Sequence, residues 1–248
     1  MTLRLAAVFA AATLATSAAL AQSDDTLATS AGDVAIHAIH HAALTLTFNG
    51  TTILVDPAPL GQNADPAEFT ALPAPALILV THDHGDHFNV PILQAVSASA
   101  TIVAPQAVFD KMPDDLKART KVMKNGDKLE VAGIPIEAVP AYNTTPERLK
   151  NHPKGVGNGY VLTFGDKHVY IAGDTEGTPE MLALTGIDVA FLPMNLPYTM
   201  SIDQAADAVK AFKPKVVYPY HSQGSDVAAF KAKVGDAADV RLLQWYPS

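Results

Sequence analysis

The sequence predicts an α/β protein of two β-sheets packed face to face, with helices on the outside. Three observations lead there. Short β-like runs open the chain and then give way to strands alternating with helices. The second half repeats that grammar, which implies two similar halves. The 248 residues, 48% apolar and 17% charged, suit one domain with a sizeable core.

Residues 1–21 stand apart from that pattern. "MTLR" carries one arginine, "LAAVFAAATLATSAAL" is a continuous small-apolar stretch, and "ALA" at 19–21 precedes Gln22. This is the layout of a secretory signal peptide cut after Ala21. It predicts a periplasmic or secreted protein whose mature chain, 22–248, is a single domain. The competing reading, an N-terminal membrane anchor, is disfavoured by the alanine-rich, marginal length of the run, and no later stretch is apolar enough to span a bilayer. Cysteine is absent, so neither a disulfide framework nor thiol chemistry is available. The net charge of −8 and the lack of a basic cluster exclude an ordinary nucleic-acid surface.

In chain order, "VAIHAI", "ALTLTF" and "TTILVD" read as meander strands, with Asn49-Gly50 as a tight hairpin turn between the last two. "ALILV" and "TIVA" alternate with helices at 89–99 and 105–112, and "KVM", "KLEVA" and "IPIEAV" follow as strands. "GYVLTF" and "KHVYIAG" restart the pattern, followed by a helix at "PEMLALT" and a strand at "DVAFLPM". "SIDQAADAVKAF" begins with Ser201 and has Gln204 three residues on, a capping-box start for a helix. "KVVYPY", a helix at 226–234 and "VRLLQW" complete the chain. The loop 141–158 is the seam between the halves, and a loop of that length is more often functional than idle.

Chemistry concentrates in "THDHGDH", residues 81–87, which holds three of the nine histidines and two aspartates directly after an apolar strand. His82 and His84 are two apart, and Gly85 permits a sharp turn that returns Asp86 and His87 towards them. Imidazole nitrogens and carboxylate oxygens both bind zinc at about 2.0–2.2 Å, so one short turn can serve two adjacent ions.

H-x-H-x-D-H after an apolar strand resembles the metallo-β-lactamase-fold hydrolases. Further landmarks extend the resemblance over the whole mature chain: "VYIAGDT" with Asp174, "VVYPYH" with His221, and "ILVDP" with Asp56. The chain looks most like the bacterial and archaeal branch that includes ascorbate-6-phosphate lactonase and N-acylphosphatidylethanolamine phospholipase D types. The resemblance implies a four-layer αββα sandwich and a metal-dependent hydrolase with two divalent ions, zinc first, with manganese or iron also open. It implies His82, His84 and a third ligand on one ion, Asp86, His87 and His221 on the other, and Asp174 bridging. The family offers a further histidine after a "VP" element, where this chain has Asn143; His152, nine residues on, is the favoured replacement, with Asn143 or solvent as alternatives.

Such an ion pair, about 3.5–4 Å apart, would lower the pKa of a bridging water from about 15.7 to about 7, supplying hydroxide without a serine or cysteine. Asp86 and His41 are the candidate catalytic groups, His41 because the resemblance places a histidine at the pocket edge. Asp56 and Asp83 read as supports. His37 and His168 read as surface groups. Tyr142, Tyr198 and Tyr220 could donate to an oxyanion or simply pack. Met194, Leu196 and Met200 could form an apolar wall or belong to the core.

The implied substrate is a small or lipid-like molecule with an ester, lactone or phosphodiester bond. A β-lactam or other amide is the alternative, and a non-catalytic metal-binding protein on the same fold is the rival from another class. Mass spectrometry of the exported protein should find Gln22 as its first residue; a mature chain retaining residues 1–21 would refute the leader assignment.

Overall fold

Asn49 and Gly50 both adopt positive φ, 49° and 78°, the backbone of a two-residue hairpin turn whose twist matches the flanking strands. That turn joins β3 (Ala43–Phe48) to β4 (Thr51–Val55) in the first of the two seven-stranded sheets formed among the described residues. The computed structural model describes residues 24–61, 65–96 and 98–246; the expected leader, 1–21, lies outside them.

The first sheet runs in chain order from β1 (Asp24–Thr29) and β2 (Gly32–His40) through β3 and β4 to β5 (Leu77–Leu79), β6 (Thr101–Ala104) and β7 (Thr120–Val122). Its first four strands pair antiparallel and the rest parallel. The second sheet repeats the plan. Strands β8 (Lys128–Val131), β9 (Ile134–Ala141), β10 (Gly157–Phe164) and β11 (Lys167–Ile171) are antiparallel. From β11 onward, β12 (Val189–Pro193), β13 (Val216–Tyr220) and β14 (Asp239–Val240) add in parallel. The two halves expected from the sequence are therefore two copies of one meander-then-parallel plan.

Three apolar clusters make the layers. Alternate residues of both sheets, among them Ile36, Leu46, Leu79, Tyr160, Phe164, Phe191 and Tyr218, interdigitate in the central core. On the outer face of the first sheet, Ile78, Val80 and Ile102 pack under α1 (Ala67–Thr70), α2 (Val90–Val96), α3 (Gln106–Lys111) and α4 (Asp114–Lys117). On the far side, Tyr170, Ala190 and Val217 pack under α5 (Pro179–Leu182), α6 (Ile202–Phe212) and α7 (Val227–Val234). The order of layers is helix, sheet, sheet, helix.

The expected capping box is present: Ser201 Oγ accepts from Gln204 N at 3.1 Å, and Gln204 Oε1 accepts from Ser201 N at 2.9 Å. Three segments differ from the sequence reading. β1 was not expected, because "DDTLAT" offers one large apolar residue; it is an edge strand held by its ladder with β2. "PEMLALT" forms only the one turn of α5. "VRLLQW" pairs as a strand only at its start, and Trp245 instead packs edge-on against Phe191 and Tyr220.

Ser201→Ala should cost about 1 kcal/mol through the lost cap. Calorimetry would read this as a Tm lower by about 2–4 °C for a domain of this size.

Candidate metal centre

The parallel strands of both sheets deliver their carboxyl ends to one edge of the sandwich, and the polar residues lie just beyond those ends. Asp56 follows β4, Thr81 and His82 follow β5, Asp174 follows β11 and His221 follows β13. His41 follows the antiparallel β2. Three of these residues hold left-handed backbone, with φ of 51° at His41, 43° at Asp56 and 42° at His221. Side chains other than glycine pay for that conformation, and it persists where packing over-determines it, typically at functional sites. Gly173 serves the same purpose at φ 65°: a Cβ there would sit 3.0 Å from Thr81 Cβ and 3.1 Å from the Asn158 carbonyl. Glycine eases both the backbone conformation and the close passage past Thr81 just before Asp174.

Asp56 is wholly buried and accepts three hydrogen bonds: from Thr81 N and Thr81 Oγ1, both at 2.7 Å, and from His87 Nδ1 at 2.8 Å. Thr81 has given its only proton to Asp56, so its oxygen accepts from His82 Nδ1 at 3.0 Å. Both rings therefore turn Nε2 inward. A histidine held at Nδ1 by a carboxylate or its relay, with Nε2 free, is the usual arrangement around a metal ion.

Two groups of ligand-type atoms result, each with all its atoms within 4.8 Å of one another: His82, His84, His152 and Asp174, and His41, Asp86, His87 and His221. Asp174 faces both. Its Oδ1 lies 3.3 Å from His87 Nε2, and its Oδ2 lies 3.2 Å from His152 Nε2 and 3.3 Å from His221 Nε2. Asp86 Oδ2 lies 3.5 Å from His221 Nε2. The buried Nε2 atoms of His82, His87, His152 and His221 have no hydrogen-bond partner. Buried polar atoms are rarely left so, because each costs about 1–3 kcal/mol. A cation against those lone pairs removes the cost, and the imidazole and carboxylate set suits a divalent metal.

Charge within the cluster is strongly coupled. Burial, reinforced by the neighbouring His87, holds the His82 imidazole well below the ordinary histidine range. At His87 burial opposes protonation, but Asp174 and Asp56 outweigh it and raise its pKa well above that range. A cation at Nε2 would take the place of that proton. Burial works to raise the Asp174 and Asp86 carboxyls, yet the surrounding histidines keep both well below the usual carboxylate range. His41 is lowered by burial, against the pull of Asp86.

The structure brings together every sequence-expected site residue: His41, His82, His84, Asp86, His87, His152, Asp174 and His221. His152 enters the first group. Asn143 gives both amide protons to the carbonyls of Arg148 and Tyr198, at 3.0 and 2.7 Å, and its backbone N–H to His152 O at 2.9 Å, while its Oδ1 is buried without a hydrogen-bond partner. Asp83 pairs instead with Lys111, and His37 with Asp24. Half-buried His168 rests on the Gly186 carbonyl, and His40, buried edge-on to Phe69, pairs with Glu68. Tyr142 hydrogen-bonds Glu180, the Tyr220 hydroxyl accepts from Gly173 N, and Met194 and Met200 are core. Tyr198 alone of the three tyrosines borders the cleft.

Sequence reasoning passed over Tyr246, whose hydroxyl is 3.0 Å from His41 Nδ1, and Arg148, whose Nε meets the fully buried Glu176 at 2.9 Å. Neither carries a local signal, since each meets its partner only across the fold. The cleft above the groups has a volume of about 320 Å³, with Lys150, Asn151 and Tyr198 at its mouth.

Two face-to-face sheets, helices outside, and paired histidine–aspartate groups at the strand ends define a metal-dependent hydrolase of the metallo-β-lactamase fold. The chain belongs to the beta-lactamase superfamily, whose domain model matches residues 51–222. It is 33% identical over 222 residues to a UPF0173 metal-dependent hydrolase of Thermococcus onnurineus, covering 85% of this chain and 96% of that one. Among solved structures, a chain from Parabacteroides distasonis described as a metal-dependent hydrolase superposes with a TM-score of 0.81 at 44% identity, over 91% of this chain and 100% of that one. The metallo hydrolase Igni18 of Ignicoccus hospitalis superposes with a TM-score of 0.70 at 27% identity, over 85% and 95%.

Asp56→Asn keeps the size of the hub but turns one acceptor into a donor facing donors. Metal affinity, measured by competition with a chromophoric chelator, should fall by about 10–100-fold; an unchanged affinity would remove Asp56 from its supporting role.

Proposed function

We propose that this chain is an exported hydrolase that uses two divalent cations, zinc first, to cleave an ester, lactone or phosphodiester bond in a small or lipid-like substrate. The observation that carries the reading is Asp174, one buried carboxylate whose two oxygens face two separate groups of unpartnered histidine nitrogens. His82, His84 and His152 would hold one cation and Asp86, His87 and His221 the other, with Asp174 between them. Cations there would supply Lewis acidity, lowering the pKa of a coordinated water to about 7 and drawing charge from the scissile bond.

The chain's own groups do the rest. Asp86, 45% exposed at its side chain, stays ionised and would orient a water held at the cations by accepting a hydrogen bond from it. His41 adjoins Asp86 at 3.1 Å. The histidine rings and the buried Asp174 carboxylate form the floor of the cleft, and Lys150 and Tyr198 meet the substrate at its mouth. A cleft of about 320 Å³ admits a small molecule or the reactive end of a longer one. The leader-like segment 1–21 is the support for export.

The purified protein should carry two equivalents of zinc, lose turnover on chelation and regain it when zinc is restored. Bis-p-nitrophenyl phosphate, a simple lactone and nitrocefin assayed in parallel select the bond. Turnover of nitrocefin alone would move the assignment to amides, and a single equivalent of metal at saturation would overturn the paired-cation reading.

A further inference from the structure

At three of the site histidines, His41, His82 and His87, a hydrogen bond at Nδ1 decides whether Nε2 can bind a cation. His82 and His87 give their Nδ1 protons to Thr81 and Asp56, which leaves Nε2 able to donate a lone pair. His41 is wired in the opposite sense. The Tyr246 hydroxyl oxygen accepts from Ser222 N and Gln223 N, both at 2.9 Å, and these two donors use both of its lone pairs. Its single proton remains to be given, and His41 Nδ1 lies 3.0 Å away.

A ring nitrogen that accepts that proton carries none of its own, so the imidazole proton sits on Nε2, 3.1 Å from Asp86 Oδ2. The chain of donors then runs in one direction, Tyr246 to His41 to Asp86. The other tautomer would set two protons against each other at Nδ1 and leave Nε2 and the carboxylate facing without a proton between them. The backbone holds the ring in place from both sides: His41 N donates to Trp245 O at 3.0 Å and His221 N to His41 O at 2.8 Å. The His41 and His221 ring centroids are 3.8 Å apart.

We propose that Tyr246 is a positioning residue that fixes His41 as an Nε2–H donor to Asp86, so that His41 supports the His87–His221 group without being one of its ligands. The assignment rests on the reading that this group holds a cation. It removes one nitrogen from the four-residue group and leaves Asp86, His87 and His221. It also explains how a half-exposed carboxylate keeps its place: one lone pair of Asp86 Oδ2 is tied to His41 and the other stays directed at its histidine neighbours.

The test is ¹⁵N NMR of the full chain labelled at histidine, with and without metal, beside Tyr246→Phe and His41→Gln. Wild type should show a protonated Nε2 and a bare Nδ1 at His41 in both states. Tyr246→Phe, which keeps the ring and loses the proton, should give a mixture of tautomers at an unchanged number of zinc equivalents. His41→Gln, which keeps a side-chain N–H, should also bind the wild-type number. A proton on Nδ1, a cadmium-113 coupling to His41 Nε2, or one equivalent fewer in His41→Gln would overturn the assignment. Wild type that takes up no metal would fail the paired-cation reading, while the metal-free spectrum would still decide the direction of the Tyr246–His41 bond.

Discussion

Asp56 is the point on which the centre turns. It sits at the end of β4 with a positive φ, in a place without solvent, and its two oxygens accept from Thr81 N, Thr81 Oγ1 and His87 Nδ1. A buried carboxylate left without partners would be intolerable, and one with three donors rigidifies whatever supplies them. The suppliers are Thr81 and His87, the two ends of the turn that carries the site. Through Thr81 the same carboxylate also sets the ring of His82. One anion therefore fixes the orientation of two imidazoles and the curvature of the turn between them.

The second half of the molecule answers with Asp174. Its position depends on the chain just before it passing close to Thr81, which Gly173 permits, and its charge depends on the histidines around it. Taken alone, four buried nitrogens without partners, beside a buried anion, would be a large burden on stability. Proteins keep such arrangements where a ligand completes them, and the cost then becomes affinity for that ligand. The positive φ angles at His41, Asp56 and His221 fit the same account, since strain is retained where it aims a functional group.

The loop that brings His152 into place is braced as heavily as the strands. Glu176, two residues beyond Asp174, pairs with Arg148 Nε at 2.9 Å and accepts from Thr144 and Thr145 at 2.6–2.8 Å. Arg148 also donates to Thr199 O at 2.7 Å. Asn143 ties the same loop to Tyr198. A histidine nine residues further along the chain thereby reaches the first group with little freedom of its own.

The class of fold was legible along the chain, because the alternation of meander strands and βα units appears twice and period-2 apolar patterning is a local property. The core of the centre was legible too, since the candidate ligands at 82–87 lie on one short turn and Asp174 and His221 each follow an apolar strand. The capping box at Ser201 was legible for the same reason, both partners lying within one helical turn. The remaining features depend on contacts between distant parts of the chain. The place of His152 hangs on a loop that Asn143 ties to the carbonyls of Arg148 and Tyr198, and the proton on His41 hangs on a tyrosine 205 residues away. β1 forms because β2 offers it a ladder, and its own side chains give almost no sign of it. Chain-local patterns record which face of an element is buried; hydrogen-bond direction inside a buried polar network is set only when distant groups meet and must share a fixed number of protons.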